Sequence, residues 1–199
     1  LECERKLYYT GKQEYPDKKI GDSFLEALAE GGYQVGELAK LYHPGGHEIT
    51  ILNKEQALAE TDERLREENC ILYEPAFLYK NLFIRVDVLV KTNDCIDVIE
   101  VKAKSCNFHD SSGFRNKSGY IDKSWKPYLY DAAFQKYVIT NALPGKSVNT
   151  FLMLADKNAE ATVDGLNQLF LFRKNPKGRT YVEVKDGVGY GDLGKEVLC

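Results

Sequence analysis

Apolar and polar positions divide the chain into segments of distinct period. Ser23 followed three residues later by Glu26 forms a capping-box pattern ahead of FLEALAE, which predicts a short helix stopped by Gly31-Gly32. YQVGELAKLYHPGG then places Val35, Leu38, Leu41 and Tyr42 on one stripe with Glu37 off it, a second helix ended by Pro44 and two glycines. HEITIL alternates as a strand does, Asn53 with Gln56 opens a charged helix reaching about Glu68, and CILYEPAFLYK predicts one further strand.

From Leu82 the pattern sharpens. LFIRVDVLVK and CIDVIEVKAK are two β-rich runs joined by the polar turn TND, which predicts an antiparallel hairpin. Residues 105–124 mix Gly, Ser, Asn and Asp without periodicity and predict a long loop, of a length that compact domains usually reserve for function. Pro127 suits the first turn of a helix over PYLYDAAFQKYVITNA, which LPG ends, and SVNTFLML, QLFLF and TYVEV predict later strands. No internal repeat is visible. The order of strands, helix and strands predicts an α/β fold, a central mixed sheet flanked by helices on both sides.

Composition then bounds the chain. At 199 residues, 43% hydrophobic and 29% charged, it is expected to form one domain over residues 1–199. The longest apolar runs fall short of a membrane span, so a soluble protein without a membrane partner is expected. A start at Leu1 without a charged-then-apolar leader suggests a fragment of a longer protein. Five cysteines, odd in number and irregular in spacing, fit a reducing compartment, and cytoplasm is the expected location. A net charge of -3 gives no overall attraction to phosphate, so contact with nucleic acid would need local basic patches or metal ions held by carboxylates.

The candidate chemistry lies in the hairpin. Alternation puts Glu100 and Lys102 on the strand face of Ile96 and Val98, with Asp97, Ile99 and Val101 on the other. Asp87 sits between Val86 and Val88 in a run suited to burial, and the short turn brings it opposite Glu100. Burying such carboxylates is costly, and a bound cation would relieve that cost. Asp87, Glu100 and the backbone carbonyl of Val101 make the hard-oxygen set that Mg²⁺ or Mn²⁺ prefers. Lys102 beside them would orient a water or help remove its proton.

Asp87 followed thirteen residues later by Glu100-Val101-Lys102 resembles the D...(D/E)xK signature of the PD-(D/E)xK nucleases, and DAAFQKYVI resembles the glutamine-bearing helix of their RecB-like branch. CERKLYY at residues 3–9 is similar to the N-terminal segment of CRISPR-associated and other RecB-like exonucleases, and GYQVGELAKLYHPGG resembles a helix in bacterial relatives of that group. The resemblance implies a restriction-endonuclease-like core with Asp87 and Glu100 as metal ligands, Lys102 as the catalytic lysine, Gln135 as the motif glutamine and Glu37 as the acidic residue of the first helix. The chain departs from the pattern at two places: Gly36 stands where many relatives carry histidine, and Tyr137 follows Gln135 more closely than the motif tyrosine does. Relatives with the N-terminal cysteine often bind a [4Fe-4S] cluster through it and three C-terminal cysteines. Here Cys3 and Cys199 would be partial ligands only, and a cluster could form only in a longer chain.

Plainer readings stand beside these. An ExK spacing by itself is that of many surface ion pairs, and Gln135 by itself is a helix-surface amide. Glu74, before Pro75, reads as an edge position facing water rather than a member of the cleft. Cys70, Cys95 and Cys106 read as small buried hydrophobes, and His43, His47 and His109 lack metal-ligand spacing. For DNA, single- or double-stranded, the expected contacts are Arg115, Lys117, Lys123 and Lys126 interleaved with Phe114, Tyr120 and Trp125, although the same residues suit a solubilising loop. RKNPKGR is a second basic segment and reads as a hairpin turn. The expected activity is metal-dependent hydrolysis of DNA. Two alternatives remain: an inactive nuclease-fold module binding DNA or a protein partner, and a metal-dependent phosphoesterase acting on nucleotides.

Overall fold

The computed structural model describes residues 8–9, 12, 14–15, 22–107, 113–175, 180–193 and 197–198. Cys3, His109, Cys199 and most of the basic run after Arg173 lie outside them.

One helix, α1 (Ser23–Tyr42), replaces the two short helices expected. Its cap is Asp22, whose side chain accepts from the Phe24 and Leu25 N–H groups, and Gly31-Gly32 lies inside the helix. Each interior glycine costs a helix about 1 kcal/mol relative to alanine. Packing of Val35, Leu38, Ala39, Leu41 and Tyr42 against the sheet outweighs that cost. After the short strand β1 (His47–Glu48), Asn53 caps α2 (Lys54–Arg64), accepting from the Gln56 N–H at 3.0 Å as the sequence suggested.

The expected strand over residues 70–80 is two strands, β2 (Asn69–Tyr73) and β3 (Ala76–Tyr79). The run from Leu82 is likewise divided into β4 (Leu82–Arg85) and β5 (Val88–Thr92). The two breaks face each other. Glu74 adopts a φ of 56°, its N–H donates to the Asp87 carbonyl at 3.2 Å, and the Val86 N–H donates to the Pro75 carbonyl at 3.1 Å. Pro75 has no N–H to continue a ladder. The β3–β4 hairpin therefore peels away from β2 and β5 as a unit.

β5 turns through Asn93 (φ 53°) and Asp94 into β6 (Cys95–Cys106), the antiparallel hairpin expected. Helix α3 (Lys126–Ala142), with Pro127 in its first turn, leads to β7 (Ser147–Asp156), which runs parallel to β6. Strands β8 (Phe170–Lys174) and β9 (Thr180–Val184) form a separate hairpin. The central sheet has the order β1-β2-β5-β6-β7 and mixes parallel and antiparallel pairs. Helix α1 and β9 cover one face, where Val88, Ile99 and Met153 are buried. Helix α3 and the β3–β4 hairpin cover the other, where Leu72, Leu89, Ile96 and Val98 meet Val138 and Ile139. The fold is thus α/β, a mixed sheet between helical layers. Among the described residues no helix is long and apolar enough to cross a membrane.

Candidate metal centre

The break at Asp87 makes the site. β5 pairs with β6 only as far as Val88↔Ile99, while β6 runs on beside β7 through Glu100↔Leu152 and Lys102↔Leu154. Among the described residues β6 past Ile99 has no partner strand on its β5 side, and the Asp87 carboxylate fills that place. Its Oδ2 accepts from the Val101 N–H at 2.7 Å. The carbonyl of a strand residue faces the same side as its N–H, so the Val101 carbonyl shares this edge with Asp87.

Glu100 points to the α3 face with Ile96 and Val98, as the alternation implied, and is 4% exposed. Its two oxygens are both engaged: Lys102 Nζ donates to Oε1, and Gln135 Nε2 donates to Oε2. Gln135 is 5% exposed, so it is no surface amide, and its buried Oε1 has no partner among the described residues. Helix α3 presents Gln135 inward one turn from Ala132 and Val138, which fix the rotation of the helix on the sheet.

Burial and the neighbouring Glu100 charge push Asp87 up to about 7, against the pull of the Val101 N–H and Lys102. Burial also raises Glu100, which Lys102 and Gln135 oppose. For Lys102, burial works downward, but the bonds and charges of Glu100 and Asp131 outweigh it and hold the ammonium above its ordinary range. The amine therefore keeps its proton, and Asp87, Glu100 and Asp131 draw on this one ammonium between them. This is an incompletely neutralised pair of buried acids with an orphaned amide oxygen beside it. Such a donor set fits a divalent ion with hard-oxygen preference. Among the described residues no group of three or more His, Cys, Asp or Glu stands ready to hold a metal. A cation here would complete its shell with the Val101 carbonyl, water and substrate oxygens.

Glu37 is placed elsewhere than the Glu100 group. It lines a cleft of about 590 Å³ together with Asp87, Val101, Glu48, Glu74, Lys40 and Arg85. Lys40 Nζ lies 2.6 Å from Glu37 and 2.8 Å from Glu48. Burial raises Glu37, Lys40 holds it down, and Glu48 and Glu74 add to the rise. Glu74, expected to face water from an edge, instead belongs to this cleft, with its side chain 3.4 Å from Arg85. Its position follows from the facing breaks, which a strand pattern does not announce.

The segment before α3 holds the other expected residues. Arg115, Lys117, Lys123 and Lys126 are exposed, with Arg115 also closing a turn by donating to the Gly119 carbonyl at 2.7 Å. Trp125 is half-buried against Phe114 and Tyr128, at ring distances of 5.2 and 6.0 Å. Lys104, two residues beyond Lys102 on β6, places its ammonium 4.6 Å from the Trp125 ring. Pattern misses Lys40, Glu48 and Arg85 in the cleft, Lys104 beside Trp125, and Asp131, whose Oδ2 is 3.2 Å from Lys102 Nζ. For Lys104 the signal was available, since it continues the Glu100, Lys102 alternation.

No family model, curated protein or solved structure matches the chain.

Proposed function

We propose that the chain is a metal-dependent nuclease of PD-(D/E)xK type with a restriction-endonuclease-like core of the RecB branch. The observation that carries this is the contiguous set Asp87, Val101, Glu100, Lys102 and Gln135, built from the end of one strand, the unpaired edge of the next and the helix packed over it.

A divalent ion held by Asp87, Glu100 and the Val101 carbonyl would supply Lewis-acid stabilisation of charge developing on the phosphoryl oxygens. Lys102 Nζ, kept protonated, donates to the attacking water or to a phosphate oxygen and fixes its direction. Gln135 Nε2 holds Glu100 Oε2, so the carboxylate keeps one rotation. Glu37 lines the same cleft as Asp87 and assists by its charge. The cleft has four carboxylates against Lys40 and Arg85, so a phosphodiester would be repelled there without added cations. That sign favours ion-dependent binding of DNA. Trp125 and its neighbours, with Lys104, Lys123 and Lys126, supply rings and charges at the start of α3, where β6 continues past Lys102, for a strand leaving the site. A cytoplasmic setting accompanies this function, in keeping with the free thiols of Cys70, Cys95 and Cys106.

An inactive module that binds DNA or a protein partner has one observation in its favour: both Glu100 oxygens are already satisfied by protein donors. Incubating labelled single- and double-stranded DNA with Mn²⁺, for the wild type and Lys102→Ala, decides between them. The nuclease cleaves only with an intact Lys102. Equal cleavage, or none by either protein, rejects the assignment.

A further inference from the structure

Lys102 occupies the very anion that a cation would need. Its Nζ donates to Glu100 Oε1, and binding of an ion at that carboxylate means breaking or sharing the pair. The lysine has a second anion in reach. Asp131 Oδ2 lies 3.2 Å from Nζ, on the turn of α3 preceding Gln135. The spacing of four residues stacks Asp131 and Gln135 on one side of the helix, so one element offers an amide to Glu100 and a carboxylate to Lys102. The two seats differ in solvation, since the Glu100 side chain is 6% exposed and that of Asp131 is 44% exposed.

We propose that Asp131 is a positioning residue, the alternative seat that receives Lys102 when Glu100 Oε1 passes to a divalent ion. A half-exposed ion pair contributes little to stability in isolation. Here its weight lies in the competition. With Asp131 present, the ammonium leaves Glu100 for a neighbouring carboxylate and keeps its place beside the site. Without it, every ion that binds Glu100 strands the ammonium next to a dication, so the lysine stays on Glu100 and resists the ion. The inference rests on the metal-site assignment made above.

Calorimetric titration of Mn²⁺ without nucleic acid, into the wild type, Asp131→Asn, Lys102→Met and the double variant, reads this coupling. Asp131→Asn is expected to weaken Mn²⁺ binding about tenfold, the low end for residues that orient metal ligands. Asp131→Glu is expected to restore it, and thermal unfolding of each variant checks that the fold is kept. In the Lys102→Met background the Asp131→Asn effect is expected to shrink below about twofold, since the two residues act through one contact. An equal loss with and without the amine overturns the proposal, because Asp131 would then be only a nearby charge. An unchanged affinity in Asp131→Asn overturns it as well. A wild type that binds no Mn²⁺ removes the metal site itself, and is distinguishable from both of those results.

Discussion

The Asp87 carboxylate accepts a hydrogen bond from the Val101 N–H at 2.7 Å, in the place on the β6 edge that a continued β5 would fill. A side chain thus substitutes for a strand, and the acid is held beside Glu100 by the ladder geometry itself.

The first consequence concerns pH. The ordinary Asp value is 3.8 and that of Asp87 in the fold is about 7. Between these values the folded protein keeps a proton that the unfolded chain has released, so stability falls as pH rises through this window. Urea unfolding in EDTA should show the wild type losing on the order of 1–3 kcal/mol between pH 5 and 8. Asp87→Asn, which can still accept from Val101, should lose less and be the more stable protein at pH 8. Parallel curves for the two proteins would contradict the shift.

Replacing Gln135 probes the donor set. Gln135→Glu places a third carboxylate against Glu100, so in EDTA above pH 7 it should unfold at lower urea than the wild type. The same variant should gain more stability from Mn²⁺ than the wild type does, since the ion would gain a ligand. Gln135→Leu leaves Glu100 Oε2 without its donor and should cost about 1–3 kcal/mol with no such recovery. Equal responses of the two variants to Mn²⁺ would count against a cation at this position.

Lys40 is the common partner of Glu37 and Glu48 in the cleft. Lys40→Met leaves both acids without it and lets Glu37 rise further, so the loss of stability should be on the order of 2 kcal/mol at pH 8 and smaller at pH 5. Chemical denaturation at the two pH values checks this, and an equal loss at both would show that packing of the lysine stem, not its charge, matters.

Trp125 is the chain's single tryptophan, so its fluorescence reports its surroundings alone. Adding a thymidine dodecamer with Mn²⁺ to the Lys102→Ala variant, which does not cleave it, should quench the emission if unpaired bases stack on this cluster. Trp125→Ala should weaken oligonucleotide binding about 5- to 100-fold, whereas Trp125→Phe, which keeps a ring, should stay near the wild type. Undisturbed emission at saturating oligonucleotide would place the strand elsewhere.

Much of this arrangement was legible because strand alternation is local. Glu100 and Lys102 fall on the Ile96 and Val98 face from the sequence period alone, and the Asn53 cap and the first-turn Pro127 are chemical signals read within one turn. The division of the strands at Glu74 and Asp87 was not legible, since each break is stabilised by the other across the sheet. The continuity of α1 through Gly31-Gly32 was hidden for a related reason: a local penalty is outweighed by packing on residues far away in the chain. Asp131 reached the site through the rotation of α3 on β6, which no residue near Lys102 encodes.

Whether Asp87, Glu100 and the Val101 carbonyl together hold a divalent ion is read from anomalous diffraction at the manganese edge, on crystals soaked in Mn²⁺. A peak within about 2.5 Å of oxygens from both carboxylates and the Val101 carbonyl is the predicted result. A map with no peak there, or with Mn²⁺ held only by Glu37, Glu48 or Glu74, would contradict it.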